Sequence, residues 1–109
     1  MKPLRFLGSS RRDLQEFPAK ARREAGFQLD HVQWGMSPDD WKPMKTIGSS
    51  VREMRIRDEA GAFRVIYVAT FTDAVYVLHA FQKKTQATSL HDIRLAAARF
   101  RELAEEQSP

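Results

Sequence analysis

Residues 51–83 form three consecutive runs with the composition and alternation of β-strands, and this segment constrains the fold more than any other. The first run alternates apolar and charged residues, the second is rich in β-branched and aromatic residues, and the third is nearly all apolar. The runs cover residues 51–57, 63–71 and 74–83, with turns at 58–61 and 72–73. Turns this short join neighbouring antiparallel strands, so the sequence predicts a meander whose last strand is covered on both faces.

Helical patterns flank the meander on both sides. Before it, four apolar residues recur at three- and four-residue intervals between Pro18 and Gly35, which suit a helix start and a helix end. They are Ala21, Ala25, Leu29 and Val32. After the meander, Ser89 and Asp92 have the spacing of a capping box, and a longer apolar stripe follows. That stripe consists of Ile93, Ala96, Ala97, Phe100, Leu103 and Ala104.

The remaining segments are short. Residues 3–7 are apolar and predict a strand, and Ser10 with Asp13 has the capping-box spacing of a brief helix that Pro18 ends. Residues 35–50 contain two prolines and no period, which predicts an ordered loop. The predicted fold is α+β in the order β-α-α-β-β-β-α, a curved antiparallel sheet flanked by helices, and 109 residues form one domain, 1–109.

Composition excludes several classes of chemistry. The chain has no cysteine, which removes disulfides, thiolate catalysis and cysteine zinc sites, and its three scattered histidines favour neither a metal nor a cofactor. No run approaches the roughly 20 apolar residues of a membrane span, and the N-terminal apolar stretch is too short for a signal peptide. We therefore expect a cytoplasmic protein with no membrane partner.

The positive charge is concentrated in the middle of the chain. Residues 1–41 carry seven basic and six acidic side chains, residues 42–84 carry eight and four, and residues 85–109 carry three and four. The net charge of +4 therefore resides in the middle block. This placement, with a pI of about 9.8, favours an anionic partner such as nucleic acid, although a basic solvated surface gives the same pattern.

The three predicted strands of the meander carry segments that resemble a known family. The segments are Glu53-x-Arg55-Ile56, Phe63-Arg64-Val65-x-Tyr67 and Leu78-His79-Ala80-Phe81-x-Lys83-Lys84-Thr85, and a closing helix follows them. In this order and spacing they resemble the phage-derived, HigB-like branch of the RelE/ParE toxin superfamily, over about residues 4–104. The resemblance implies a RelE-like toxin domain of a type II toxin-antitoxin system.

The resemblance also implies an activity and partners. The activity would be metal-independent cleavage of mRNA as an endoribonuclease (mRNA interferase), usually on the ribosome. The partner would be a cognate antitoxin, often with a helix-turn-helix domain. The toxin would associate with DNA only through this antitoxin. Two alternatives stay open: a ParE-like toxin that inhibits a topoisomerase without a nuclease site, and a noncatalytic RNA-binding module.

Arginine and lysine are the leading candidates for catalysis. Arg64 matches the arginine that precedes the aliphatic-Tyr segment of RelE-type toxins, and a charge in that apolar run is otherwise explained by a salt bridge to Glu53 or Asp58. Arg55 lies on the adjacent predicted strand. Lys83 and Lys84 match the basic pair at the end of the last strand, and strand alternation sends one to each face.

The remaining candidates have weaker arguments. His79, in phase with Val77, is a catalytic acid or base or a buried structural residue, and Glu53 is a base or a partner of Arg55. The candidate RNA-binding residues are Lys42, Lys45, Arg57 and Tyr67. A solvated loop is an equal alternative for Lys42 and Lys45, and Tyr67 either stacks on a base or simply packs. Trp34 and Trp41 either stack on bases or, our preferred interpretation, pin the loop between them to the core. A long helix replaces the short tail of many RelE-type proteins, so the proton donor stays unassigned.

Overall fold

Five strands and three helices make up the part of the chain that the computed structural model describes, residues 1–108. The strands are β1 (Leu4–Phe6), β2 (Trp41–Pro43), β3 (Val51–Asp58), β4 (Gly61–Val68) and β5 (Val75–Lys83). The helices are α1 (Ser10–Gln15), α2 (Ala19–Gln33) and α3 (Leu90–Gln107). The α+β class is confirmed, and the order is β-α-α-β-β-β-β-α, one strand more than predicted.

The strands form one sheet in the order β1-β5-β4-β3-β2. The meander of β3, β4 and β5 is antiparallel, as predicted. The expectation of a wholly antiparallel sheet is wrong, because β1 pairs with β5 in parallel through Leu4↔Val75 and Phe6↔Val77. The helical segment and the rest of the meander separate these two strands along the chain, which leaves β1 free to run in the same direction as β5.

The sheet has a hydrophobic core on each face. On one face, here the α2 face, residues of α1 and α2 pack against Met54, Phe63 and Val65. On the other, the α3 face, Ala96 and Leu103 pack against Ile66 and Val68. The predicted stripe of α2 is wholly buried, whereas α3 buries only Ala96 and Leu103 completely. The sheet is therefore a central layer, and the α3 face is covered less completely.

Strand β2 lies in the segment that was expected to be a loop. Its three residues pair with β3 through Trp41↔Met54, Lys42↔Glu53 and Pro43↔Arg52. A run this short has no periodicity, and its proline is tolerated because β2 is an edge strand. The pairing brings Lys42 beside Glu53, which matters for the site below.

A β-bulge interrupts the alternation of β5. Ile66 pairs with His79 and Tyr67 pairs with Val77, which leaves Leu78 without a partner on β4. The residues beyond the bulge therefore exchange faces, and His79 lies on the α3 face while Val77 lies on the α2 face. A bulge also bends its strand, which agrees with the predicted curvature of the sheet.

The helix ends follow the capping rules with one correction. Gly35, with φ of 88°, follows the C-terminal end of α2 as expected. Ser89 caps α3 by accepting a hydrogen bond from the Asp92 backbone N–H at 3.1 Å. The cap predicted at Ser10 is wrong, because its hydroxyl donates to the Val77 carbonyl while Ser9 precedes α1. No helix among residues 1–108 is long and apolar enough to cross a membrane.

Replacing Ser89 with alanine is expected to lower the free energy of unfolding by about 1 kcal/mol, because the Asp92 backbone N–H in the first turn of α3 then loses its side-chain acceptor. Urea denaturation followed by circular dichroism measures this effect. Ser49→Ala, at an exposed serine of the loop before β3, is the control and should leave the midpoint unchanged. A shift no larger than that of the control would show that Ser89 does not stabilise α3.

Candidate anion-binding site on the sheet

Four cationic side chains lie together on the α3 face, near the turn between β3 and β4. The register pairs Arg55 with Arg64 across β3 and β4, and pairs Ala62 with both Arg57 and Lys83. Residues directly opposite each other point to the same face, so these four cations share one side of the sheet. We call Arg55, Arg57, Arg64 and Lys83 the basic cluster.

The basic cluster lines two adjoining cavities of about 260 and 400 Å³. Arg57, Arg64 and Lys83 line both, and Arg55 lines the smaller one. Gln86, from the segment between β5 and α3, also lines both, and Asp40 is the one acidic residue among the lining of the two. The cavities therefore present a strongly cationic wall, which favours an anionic ligand.

Arg64 occupies the floor of these cavities and is only 4% exposed. Its Nη1 donates to the Phe63 carbonyl at 3.1 Å, and its Nε lies 3.5 Å from Glu53 Oε1. In the described chain, the buried Nε of Arg55 has no hydrogen-bond partner, whereas the buried Nε of Arg64 faces Glu53 Oε1 in an ion pair that is too long for a hydrogen bond. Buried donors are normally satisfied, so the unpaired Arg55 donor beside the other cations of the smaller cavity indicates a place for acceptor oxygens.

Glu53 is the anion that balances this charge, and its side chain is fully buried. Its Oε2 accepts a hydrogen bond from Thr88 Oγ1 at 2.6 Å, and its Oε1 faces Arg64 and, at 3.9 Å, Lys42 Nζ. A buried carboxylate persists only when it is paired and hydrogen-bonded. Glu53 therefore holds Arg64 from below and lines neither cavity.

The cations of the cluster influence one another. Burial lowers the pKa of Arg64, and the nearby charges of Arg55 and Arg57 lower it further against the opposing effect of Glu53. Partial desolvation and then the charge of Arg64 lower the pKa of Lys83, again opposed by Glu53. Arginine stays protonated at any physiological pH, whereas a lysine with a lowered pKa can exchange its proton more readily.

The other basic candidate residues differ in how close they lie to the basic cluster. Lys84 follows the end of β5, is exposed and lines only the larger cavity. Lys42 lies on the α3 face, where it pairs with Glu53. Lys45 is exposed in the turn after β2 and lines neither cavity. Arg57, at the exposed end of β3, belongs to the cluster itself.

Tyr67 lies on the wrong face for the RNA-binding role expected of it. It packs in the α2 core with 1% exposure, on the side of the sheet opposite the basic cluster. Burial raises the pKa of its hydroxyl, against a smaller effect of Arg52. Strand alternation already places residues 64 and 67 on opposite faces, but the expectation for Tyr67 came from the family segment and did not use it.

His79 has the surroundings of a structural residue. It is 5% exposed, stacks on Phe81 with ring centroids 4.8 Å apart, and places Nε2 at 2.6 Å from Asp92 Oδ1 on α3. It lines neither cavity of the basic cluster. Burial lowers its pKa from 6.5, although Asp92 opposes that shift. His79 therefore connects β5 to the first turn of α3.

Stability is expected to fall as the pH is lowered below about 6.5, because the unfolded chain then binds a proton that the buried His79 resists. The loss continues until the pH passes the lowered pKa of the folded state. Urea denaturation at pH 7.5, 6.5 and 5.5 measures it, and His79→Gln should show a shallower decline. The exposed His91→Gln is the control and should keep the wild-type slope. Identical slopes in all three proteins would contradict this assignment.

Three residues of the site have no signal in the sequence. Thr88, Gln86 and Asp40 lie in segments without periodicity, and only the fold brings them to Glu53 or to the cavities. Within residues 1–108, no group of three His, Asp or Glu side chains converges in a way that would hold a metal ion.

Fold and site together define a class: a small α+β protein with an arginine-lined cavity, a candidate anion site, on one face of a mixed sheet. The family model described as phage-derived protein Gp49-like (DUF891) matches residues 12–101, and the chain belongs to this family. The match spans all three strands of the meander and the greater part of α3. None of the curated proteins compared with the chain matches it.

Proposed function

We propose that this protein is the toxin of a type II toxin-antitoxin system and that it cleaves mRNA as a metal-independent endoribonuclease. The observation that carries the proposal is Arg64, a buried arginine that lines two cavities together with three further cations. A phosphodiester undergoing cleavage develops negative charge on its non-bridging oxygens, and arginine donors stabilise that charge.

Two independent lines support the proposal. The family is phage-derived, and the segments around Glu53, Arg64 and Lys83 resemble the HigB-like branch of the RelE/ParE superfamily. The register of the sheet also brings the charged residues of those segments to one face. The proposal accordingly includes a cytoplasmic location and action on ribosome-associated transcripts.

The residues take distinct roles in the proposed reaction. The 2′-hydroxyl of one nucleotide releases its proton to solvent water as its oxygen bonds to the adjacent phosphorus, the bond to the 5′-oxygen breaks, and a 2′,3′-cyclic phosphate and a 5′-hydroxyl result. Arg64 and Arg55 hold the non-bridging oxygens, and Lys83 is positioned to protonate the departing 5′-oxygen. Glu53 does not reach RNA but orients Arg64, and Arg57, Lys84 and Lys42 bind flanking phosphates.

Lys83→Ala is expected to reduce cleavage at least tenfold, whereas Lys84→Ala should reduce it less than threefold, because only Lys83 reaches both cavities and Arg64. Initial rates on a defined RNA measure both variants, with Lys45→Ala as the control for charge alone. Equal, large losses from Lys83 and Lys84 would show that the pair acts as one flexible basic segment and would refute the assignment of Lys83.

The proposed partner is an antitoxin with a helix-turn-helix domain, through which the toxin meets DNA. An acidic segment of this partner would neutralise the basic cluster by charge complementarity, and the same charges would speed encounter. Controlled expression followed by mapping of transcript ends tests the function. New 5′-hydroxyl ends support cleavage, growth arrest with intact transcripts indicates ParE-like topoisomerase inhibition, and RNA binding without arrest indicates a noncatalytic module.

A further inference from the structure

A third cavity of about 530 Å³ opens on the α2 face, where α2 ends beside β2 and β3. Trp41, Arg52 and Tyr67 line it, together with Met36 and four serine and threonine residues, Ser37, Ser49, Ser50 and Thr70. We call it the Trp41 cavity. Arg52 pairs with Tyr67 across the strands on the face opposite Arg64, so the Trp41 cavity is separate from the basic cluster.

The Trp41 cavity has one charged residue in its lining, and that residue is not neutralised. The Arg52 guanidinium carbon lies 3.9 Å from the centre of the Trp41 ring, and Nη1 donates to Ser37 at 3.2 Å. Arg52 forms no ion pair with any residue of the described chain, and the lining of the Trp41 cavity includes no acidic residue. A stacked, oriented guanidinium with spare N–H donors matches a carboxylate.

Tyr67 supplies a second unpaired donor. Its side chain is buried to 1% exposure, and its hydroxyl oxygen lies beside the Arg52 guanidinium, but the hydroxyl donates no hydrogen bond within residues 1–108. Leaving a buried hydroxyl unpaired is unfavourable, so an acceptor from outside the chain, such as a carboxylate oxygen or a water that binds one, would complete it. Two donors of different strands thus converge on one cavity.

An exposed apolar stripe leads to the mouth of this cavity. Phe27 is 56% exposed and contacts the His31 ring in a tilted arrangement with ring centroids 4.4 Å apart. About two helical turns further on, Trp34 is 61% exposed. Met36, 53% exposed, lines the cavity itself. Trp, Tyr, Met and Arg are the residues enriched at the centres of protein interfaces, and such anchors carry most of the binding energy. This composition favours a protein segment over a small solute.

We propose that the Trp41 cavity and the stripe of Phe27, Trp34 and Met36 dock a segment of the antitoxin that combines apolar side chains with a carboxylate. The apolar side chains cover Trp34 and Met36, and the carboxylate binds Arg52 and the Tyr67 hydroxyl. This inference rests on the proposed function, and it places a binding surface on the face of the sheet that does not bind RNA. One segment of the antitoxin is thereby anchored at the Trp41 cavity, on the face opposite the basic cluster that its acidic segment neutralises.

The test uses the purified chain and, as the probe, the product of the reading frame adjacent to its gene. A Trp34→Ser/Met36→Ser double variant should weaken the complex about 30-fold, the size of one hot-spot loss, and Arg52→Glu should weaken it at least tenfold. Arg101→Ala, an exposed arginine of α3, is the matched control and should bind within twofold of the wild type. RNA cleavage by the free variants should be unchanged.

Two results would overturn the inference. One is binding of the double variant and of Arg52→Glu within twofold of the wild type. The other is a wild-type chain that does not bind the probe, or whose exposed stripe is instead covered by a second copy of the chain in sedimentation analysis. Cleavage of RNA by the free wild-type protein is measured separately, so failure of this inference and failure of the proposed function give different results.

Discussion

Replacing Arg64 with alanine is expected to reduce RNA cleavage by roughly two orders of magnitude, which corresponds to about 3 kcal/mol of lost transition-state stabilisation. The reason is that Arg64 alone among the four cations is buried, with its guanidinium fixed between the Phe63 carbonyl and Glu53. A donor held in place before the reaction stabilises developing charge without reorganisation. Single-turnover cleavage of a short RNA measures the effect.

Arg64→Lys is the matched control for folding. Lysine keeps the positive charge beside Glu53 but loses the planar fork that holds two phosphate oxygens, so this variant should fold like the wild type and still lose most of its activity. Circular dichroism and the urea midpoint establish the fold of each variant. A folded Arg64→Lys or Arg64→Ala protein with wild-type cleavage would remove Arg64 from the reaction.

The same buried pair is expected to dominate the stability of the sheet. Arg64→Ala leaves the carboxylate of Glu53 buried without its nearest cation, and Glu53→Ala leaves Arg64 without its anion. Removing one partner of a buried pair costs about 3–5 kcal/mol, whereas removing both avoids an uncompensated charge. The double variant Glu53→Ala/Arg64→Ala should therefore be more stable than the sum of the single losses predicts.

Urea denaturation of the four proteins of this cycle measures the coupling. Lys42→Ala is the control, because Lys42 also pairs with Glu53 but its side chain is 43% exposed, and it should cost less than 1 kcal/mol. Additive losses in the double variant would show that Glu53 and Arg64 are not coupled, and Glu53 would then lose its role as the residue that orients Arg64.

The parts of the fold that depend on repeated local patterns were predictable. The meander and the stripes of α2 and α3 each extend over many residues, and each pattern has one dominant period. Strand β2 was missed because three residues that include a proline have no period. The parallel pairing of β1 was missed because a contact between residues about 70 positions apart leaves no local signal.

The prediction for His79 shows how one residue can redirect a strand. Regular alternation puts His79 in phase with Val77, but the bulge at Leu78 moves it to the other face, beneath α3. Nothing in the apolar run 74–83 distinguishes the bulged residue from its neighbours. The position of any polar residue beyond a bulge is therefore set by tertiary pairing and not by the sequence pattern.

The cationic residues of the candidate site were predictable from the sequence, but the contacts that hold Arg64 in place were only partly so. Arg64 stands out in the sequence because its charge interrupts an apolar strand, and Arg55 and Lys83 were identified from the segments that resemble the toxin family. The salt bridge from Arg64 to Glu53, which the sequence offered as the structural explanation of Arg64, is present. Arg64 nevertheless also lines the cavities. Thr88 completes this arrangement from the linker to α3, and only the packing of that linker brings it to Glu53.

The exposure of Trp34 and Met36 corrects the expectation that Trp34 and Trp41 pin the loop between them to the core. Met44 is buried, but Trp34 and Met36 remain exposed, so this part of the loop is not pinned to the core. Trp41 is half-buried through its pairing in β2 and its contact with Arg52. Trp34 and Met36 lie next to the Trp41 cavity. We therefore explain their exposure by a partner that covers them, and not by packing against the core.

The chemistry of the transcript ends tests the central claim most directly. Brief expression of the wild-type chain, followed by sequencing that captures 5′-hydroxyl ends, should reveal new ends paired with 2′,3′-cyclic phosphates on the upstream fragments. The same expression of Arg64→Lys should reduce those ends by roughly two orders of magnitude at equal protein level. Growth arrest by the wild-type chain with no new 5′-hydroxyl ends would contradict the assignment of this site as a ribonuclease centre.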